Sequence, residues 1–182
     1  MVHGIVTLLD LPHTVAVEEL WREFERRFGV SWVSKRVPFP HISFHVAAGY
    51  HVEPVEAALS AIAAEFRPFT VKVAGVLVFT AKEPVLALNV VRSDDLDRLH
   101  RRVWDAVREL AAGTLTYYHP DNWTPHITLA QGDLDGIKLP RLVAALLDRR
   151  LDWEIMVDNV TLMIDDGIKH DIRQRIAIGE DR

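Results

Sequence analysis

Apolar positions along the chain follow two spacings, one typical of strands and one typical of helices. Residues 4–9 are apolar and β-branched, which predicts a buried strand that Pro12 is expected to break. Residues 15–28 then carry apolar side chains at helical spacing, with arginines late in the segment and Gly29 after its end. The chain is therefore predicted to open with a strand followed by a helix.

The same spacings extend through the rest of the chain. Three more helices are predicted, over about 54–66, 95–112 and 140–149, and prolines open the first and last of them. Residues 30–39 are predicted to form a loop or an edge strand. The other predicted strands cover about 41–47, 69–80, 85–91, 126–131, 153–164 and 171–178.

The predicted elements repeat along the chain. The order strand, helix, strand, helix, strand occurs over about 4–80 and again over about 85–164, before a final strand at 171–178. Equivalent histidines lie 85 residues apart, and the helix-opening prolines lie 86 residues apart. This regularity predicts an internal duplication within a single bilobal α+β domain spanning residues 1–182. Two lobes related by a pseudo-twofold axis would bring their equivalent strands together.

Two short stretches in equivalent strands are nearly copies of each other. They are Pro40-His41-Ile42-Ser43-Phe44-His45 and Pro125-His126-Ile127-Thr128-Leu129-Ala130. Side chains at positions i and i+2 of a strand lie on the same face. His41 therefore shares a face with Ser43, and His126 shares a face with Thr128. A pseudo-twofold axis would place the two histidines opposite each other.

Two opposed imidazoles can cleave a phosphodiester without a metal. A neutral histidine takes a proton from the attacking water or hydroxyl, and a protonated histidine delivers a proton to the leaving oxygen. The hydroxyls of Ser43 and Thr128, roughly 6.5 Å from their histidines along each strand, can hydrogen-bond the non-bridging phosphate oxygens. His41 and His126 are thus the predicted acid–base pair, and the sequence leaves open which of them is the base.

Composition and charge limit the kinds of site and the kinds of partner that the chain can have. The chain has no cysteine, which excludes disulfides, thiolate metal sites and a cysteine nucleophile. Its net charge of -5 lacks the basic surplus that long-duplex binding usually requires, so a small nucleotide or an RNA end is the favoured partner. No apolar run approaches the roughly 20 residues of a membrane helix, and the first residues favour a strand over a signal peptide. We expect a cytoplasmic monomer that does not bind membranes.

The paired His-x-Ser/Thr motifs, in a duplicated chain of this length, resemble the 2H phosphoesterase superfamily, also called the 2′-5′ RNA ligase-like or cyclic phosphodiesterase family. The resemblance implies a bilobal fold in which two antiparallel-rich sheets line a central cleft and helices pack outside. It also implies metal-independent hydrolysis, without a cofactor, of 2′,3′-cyclic or 2′-5′-type phosphodiesters of nucleotides or RNA ends. The implied catalytic residues are His41 and His126, and the implied phosphate-binding residues are Ser43 and Thr128.

Four further residues are candidates for contacting the substrate. Gln131 follows the second motif where the bacterial RNA-ligase-like branch commonly has an arginine, so the chain resembles a divergent subgroup. In a regularly alternating strand, His45 shares a face with the first motif's histidine and serine and would lie in the cleft or at its rim. Tyr118 and Trp123 belong to an aromatic loop, which could offer a ring for a nucleobase or plug the core.

Two alternatives compete with this interpretation. A metal site is disfavoured because His41 and His45, four residues apart on a strand, would be about 13 Å apart, too far for one ion. No acidic cluster accompanies either motif, so no metal is expected. The other alternative is a non-catalytic module of the same fold that binds a nucleotide or an RNA end.

Overall fold

The computed structural model describes residues 2–179 of the 182-residue chain. In that range the strands are β1 His3–Leu8, β2 His41–Tyr50, β3 Phe69–Phe79, β4 Val85–Val90, β5 Ala111–Thr114, β6 His126–Ala130, β7 Glu154–Val157, β8 Asn159–Asp165 and β9 His170–Ala177. The helices are α1 Leu11–Phe28, α2 Trp32–Arg36, α3 Val52–Glu65, α4 Asp94–Val107 and α5 Lys138–Leu146. Short 3-10 turns occupy Arg108–Leu110 and Thr116–Tyr118.

The strands form two sheets, and neighbouring strands within each sheet are antiparallel. One sheet has the order β5-β2-β1-β8-β9, and the other has the order β6-β4-β3-β7. The predicted α+β class with two antiparallel sheets is therefore confirmed.

Each sheet combines strands from both halves of the chain in the same order. The first sheet contains the run β2-β1-β8-β9, and the second is β6-β4-β3-β7. Strand β3 leaves the first half to pair with β4, and β8 crosses back to pair with β1. Two copies that exchanged their last strands would produce this arrangement, although the internal repeat itself stays a prediction.

The main core lies between the sheets and their helices. Helix α1 contributes the buried side chains Val17, Leu20, Trp21 and Phe24. Helix α4 contributes Leu96, Leu99, Val103 and Val107. A second, smaller apolar cluster lies apart from this core and consists of Val6, Leu8 and Met163. Strand β1 thus buries side chains on both of its faces, as its largely apolar sequence predicts.

The prolines near helix starts lie inside the helices' first turns. Helix α1 begins at Leu11, earlier than predicted, with Pro12 in its first turn, where a missing backbone N–H costs nothing. The Asp10 carboxylate caps this helix by accepting a hydrogen bond from the His13 backbone N–H at 3.2 Å. Helices α3 and α5 likewise begin two residues before the prolines predicted to open them.

The prediction of a loop or edge strand over 30–39 is wrong, because this segment contains helix α2. The Asp133 carboxylate accepts hydrogen bonds from the backbone N–H groups of Ser31 and Trp32 at 2.7 and 2.9 Å. It thereby satisfies two of the donors that a helix start leaves open. Because this cap comes from the other half of the chain, the local sequence carries no sign of it.

The single strand predicted over 153–164 is in fact two strands in different sheets. Strand β7 pairs with β3, and β8 pairs with β1 and β9. Strand β5, which pairs with β2, begins at Ala111 inside the segment predicted to be the end of a helix. No helix within residues 2–179 has the length and apolar character needed to cross a membrane.

Candidate active site

The two motif strands, β2 and β6, come from different sheets and approach each other across a cleft of about 140 Å³. Six of the residues predicted from sequence line this cleft: His41, Ser43, Tyr118, His126, Thr128 and Gln131. The cleft thus brings together both histidines and both hydroxyl residues of the paired motifs.

The two histidine rings are held in the same way. The Nδ1 atom of His41 lies 2.6 Å from the Phe39 carbonyl oxygen, and Nδ1 of His126 lies 2.8 Å from the Thr124 carbonyl oxygen. A carbonyl oxygen only accepts, so each Nδ1 carries the proton and donates it. Each neutral ring therefore keeps its Nε2 lone pair free for another partner, which is the arrangement that a general base requires.

The prolines before the histidines are anchored identically. The backbone N–H of Leu9 donates to the Pro40 carbonyl at 3.2 Å, and the backbone N–H of Val90 donates to the Pro125 carbonyl at 3.1 Å. A proline ring also fixes φ at this position. The Pro-His step therefore enters each motif strand in a defined orientation, which sets the direction of the imidazole that follows.

Both histidines favour their neutral form. Burial lowers the pKa of His41 to about 4, against the opposing effect of the Phe39 carbonyl, and the charges of His126 and His170 lower it further. Burial also lowers the pKa of His126, and the Thr124 carbonyl acts in the opposite direction. Since His126 disfavours the cationic form of His41, the pair resists carrying two protons at once.

A β-bulge follows the hydroxyl residue in each motif strand. Between β1 and β2, Val6 pairs with Ser43 and Ile5 pairs with His45, so Phe44 is an extra residue. Between β4 and β6, Ala87 pairs with Thr128 and Leu86 pairs with Ala130, so Leu129 is extra in the equivalent place. Bulges redirect side chains and are common beside active sites.

The bulges decide which later residues face the cleft. The extra residue and the one after it both point into the core, so Phe44, His45, Leu129 and Ala130 are all buried. The next residues, Val46 and Gln131, return to the cleft wall. Gln131 therefore lies in the cleft only because the strand before it is bulged.

The prediction that His45 faces the cleft is wrong. Its side chain is fully buried, its Nδ1 lies 2.7 Å from the Tyr50 hydroxyl, and its ring packs 4.9 Å from the Trp104 ring. The bulge at Phe44 breaks the alternation on which the prediction rested. Burial, together with the neighbouring His100, lowers the pKa of His45 to about 4.

Of the two roles that the sequence leaves open for Trp123, the structure shows a plug of the core and not a ring offered to a nucleobase. Its indole is buried, stacks on the His100 ring at 3.8 Å and donates from Nε1 to the Ser43 carbonyl at 2.9 Å. Tyr118, the other aromatic candidate, does line the cleft. Burial raises the pKa of the Tyr118 phenol, and a hydrogen bond with the Ser43 side chain opposes that shift.

For several residues that line the cleft, nothing in the sequence indicates that they would do so. His3, His170 and Trp32 line the cleft, and none of them belongs to a recognisable motif. His170 Nε2 lies 2.9 Å from the Val2 carbonyl oxygen. The buried His100 ring has its Nε2 3.0 Å from the carbonyl oxygens of both Phe44 and Tyr118, and thus links the bulge to the Tyr118 turn.

In the described part of the chain, no three His, Asp or Glu side chains are grouped closely enough to hold a metal ion.

The buried histidines predict that the protein loses stability in mild acid. Burial is the main cause that lowers the pKa values of His41, His45 and His100 to about 4, from 6.5 in an unfolded chain. Between pH 6.5 and 4 the unfolded state therefore binds more protons, and the free energy of unfolding falls as the pH falls. In urea titrations across this range these three protons should contribute at most about 4 kcal/mol per pH unit to the slope. His3 and His126, whose pKa values are also lowered by burial, add to the slope in the same direction.

Variants of single histidines test that slope. His45→Leu removes one titrating site and should make the slope shallower by at most about 1.4 kcal/mol per pH unit, whatever its effect at pH 7.5. His51→Ala serves as the control, because it replaces an exposed histidine and leaves the buried ones in place. A free energy of unfolding that stays constant from pH 6.5 to 4 would contradict the assignment.

Comparison with known proteins gives one family and a consistent fold. A model of the 2′-5′ RNA ligase superfamily matches residues 11–169. The crystal structure of TT0787 from Thermus thermophilus aligns over 100% of both chains at 15% identity, with a TM-score of 0.70. LigT from E. coli, complexed with 3′-AMP, aligns over 99% of this chain and 100% of its own at 15% identity, with a TM-score of 0.59. No curated protein sequence gives a significant match.

Proposed function

The chain belongs to the 2′-5′ RNA ligase superfamily, whose members are phosphodiesterases or RNA ligase-type enzymes, and on that premise we propose that it is a hydrolase. Its substrates would be 2′,3′-cyclic or 2′-5′-type phosphodiesters of nucleotides or RNA ends. The observation that carries the proposal is the pair of identically anchored imidazoles, each with a hydroxyl residue beside it, in one cleft. Both motifs come from one chain, so a monomer suffices for the reaction.

His41 is proposed as the general base. Its pKa of about 4 is lowered by burial and by two neighbouring histidines, so the ring is neutral at physiological pH. Its Nδ1–H is committed to the Phe39 carbonyl, which leaves Nε2 to accept a proton from water. As Nε2 takes that proton, the water oxygen forms a bond to phosphorus.

His126 is proposed as the general acid. Nε2–H of its protonated ring donates to the ribose oxygen as the bond from that oxygen to phosphorus breaks, and the product is a nucleotide monoester. The bound phosphodiester is an anion, and an adjacent anion favours the charged form of an imidazole. Substrate binding thus opposes the effect of burial on the pKa of His126. After product release, a proton must pass from His41 to His126 through solvent before the next turnover.

Ser43 and Thr128 are proposed to hold the phosphate. Both side chains are half-buried in the cleft, and their hydroxyls can donate to the non-bridging oxygens. The Tyr118 phenol interacts with Ser43 and adds a third hydroxyl on that side. Gln131, which lies where an arginine is common in the bacterial branch, offers a neutral amide in place of a guanidinium.

A nucleotide is the proposed ligand class for two reasons. A protein of the same fold, LigT from E. coli, has been crystallised with 3′-AMP. The net charge of -5 disfavours a long nucleic acid, for which phosphate contacts supply most of the affinity. A cyclic nucleotide or a short RNA end requires only one phosphate in the cleft.

The proposal is tested by assaying the four nucleoside 2′,3′-cyclic monophosphates, and a 2′-5′-linked dinucleotide, in the presence of EDTA. We expect hydrolysis that EDTA does not inhibit, with product analysis identifying the bond that breaks. Binding of these compounds without turnover would favour the non-catalytic binding module instead. Activity that EDTA abolishes and a divalent cation restores would overturn the metal-free mechanism.

A further inference from the structure

The two aromatic side chains that line the cleft differ in what they can offer a substrate. Tyr118 directs its hydroxyl toward Ser43, on the phosphate side of the cleft. Trp32 is half-buried and lies in the cleft wall beside Gln131. The Trp32 ring packs partly against the core. Because the ring is only half-buried and lines the cleft, part of the indole is open to a planar ligand.

Gly132 fixes the position of the Trp32 ring. A Cβ atom on residue 132 would lie 2.6 Å from the Trp32 ring atoms Cγ and Cδ2, far inside van der Waals contact. The backbone at Gly132 also has φ +78°, a conformation that favours glycine. One side of the indole is consequently covered by the Gly132 backbone at a distance that no other residue type permits.

The backbone of Trp32 is fixed as well. The Asp133 carboxylate accepts hydrogen bonds from the N–H groups of Ser31 and Trp32, so residues 132 and 133 hold both the ring and the main chain. Only Gln131 separates these two residues from the end of β6, the strand that carries His126 and Thr128. The indole is thus held at a set position relative to the second motif. Such preorganisation lowers the entropic cost of binding a ligand.

We propose that Trp32 is the platform on which the nucleobase of the substrate stacks, with the Gln131 amide beside it. This inference rests on the proposed function and adds to it a subsite for the base. Gln131 is the third residue after Thr128, beyond the bulge and the end of β6, so the platform is at one end of the phosphate site. The amide carries both a donor and an acceptor and can meet the edge of a stacked base. Substrates that carry a base are thereby preferred over base-free ribose phosphates.

The experiment compares two ligands that differ only in the base. Adenosine 3′-monophosphate and 1-O-methylribose 3-phosphate are titrated into the wild-type protein in EDTA by calorimetry. Stacking on an aromatic side chain typically contributes enough to change affinity by about 5- to 140-fold. We expect the adenosine ligand to bind tighter by a factor in that range. Trp32→Ala should reduce the ratio to about one, since the base-free ligand makes no use of the indole, and Trp32→Phe should retain most of the preference.

Trp153 supplies the matched control, because it is also half-buried and lies outside the cleft. Trp153→Ala should keep the wild-type ratio. Equal binding of the two ligands by the wild type would overturn the subsite, as would a Trp32→Ala variant that weakens both ligands equally. Because binding needs no turnover, a base preference without hydrolysis would overturn the proposed function and leave the subsite standing. Equal turnover of nucleoside and base-free cyclic phosphates would overturn the subsite alone.

Discussion

Replacing either cleft histidine with alanine is expected to reduce kcat by about 100- to 10,000-fold. His41→Ala removes the proposed general base, and His126→Ala removes the proposed general acid. The proposed phosphate-binding residues Ser43 and Thr128 remain in place, so KM should change much less than kcat. Steady-state hydrolysis of a nucleoside 2′,3′-cyclic monophosphate in EDTA provides the measurement.

The dependence of activity on pH distinguishes the general base from the general acid. The form with neutral His41 and protonated His126 is most populated between the two pKa values, and burial places both of them below 6.5. The value of kcat/KM in the wild type should therefore peak on the acid side of pH 6.5. The residual activity of His41→Ala should lose the acid limb of the profile, and that of His126→Ala should lose the alkaline limb.

Two controls accompany this comparison. His51→Ala changes an exposed histidine and should leave kcat within about two-fold of the wild type, as most surface changes away from a site do little. The double variant His41→Ala/His126→Ala should be no slower than the slower single variant by more than a few-fold, because residues that act as a unit are not additive. If His126→Ala kept both limbs of the profile, the general acid would have to be another residue.

Trp123→Ala is expected to lower the free energy of unfolding by about 3–5 kcal/mol, the usual cost of truncating a buried aromatic residue. The indole stacks on His100 and also donates to the Ser43 carbonyl at 2.9 Å. Loss of the indole leaves a cavity. It also removes the Nε1–H donor from the Ser43 carbonyl, which lies next to the bulge at Phe44. Urea unfolding at pH 7.5 measures the change, and kcat/KM should fall as well because Ser43 loses its support.

Trp123→Phe separates packing from hydrogen bonding. It keeps an aromatic ring but removes the Nε1 donor, and an unpaired buried acceptor costs about 1–3 kcal/mol. Trp153→Ala is again the control, since that side chain is half-buried and its Nε1 donates to the Arg150 carbonyl in a loop. It should cost less than Trp123→Ala and leave kcat/KM unchanged. A Trp123→Ala protein as stable as the wild type would show that the buried indole does not hold the motif strand.

The core of the candidate site could be predicted because it depends on local properties of the sequence. The pairs His41 with Ser43 and His126 with Thr128 lie before the bulges, where simple strand alternation holds. Matching motifs at a matching offset then indicated that the two strands would meet. The class of fold and the family followed from the same repeated pattern.

The errors arose where a distant part of the chain decides the local structure. A bulge is a property of two paired strands, and the sequence around Phe44 does not display it. It turned His45 from the cleft into the core. The arginine common in the bacterial RNA-ligase-like branch at the position of Gln131 is the one signal that the residue after the second motif strand returns to the site. With regular alternation, Gln131 would point away from it.

The base platform could not be predicted for the same reason. Helix α2 spans five residues, and its first backbone donors are satisfied by Asp133, about a hundred residues away in the chain. Periodicity cannot detect so short a helix. Within the aromatic cluster, Trp123 supports the motif strand and Tyr118 lines the cleft. Trp32 stands alone in the sequence and also lines the cleft.

The exchange of strands between the halves affects how the protein is made on the ribosome. Strand β1 is flanked by β2 and β8, and β8 ends at Asp165. At about 5–20 residues per second, the partner of β1 is synthesised roughly 8–30 s after β1 itself. Until then one edge of an apolar strand has no partner, which exposes the nascent chain to aggregation. A product truncated before β8 would contain both histidines and still lack the completed sheet on which His41 is mounted.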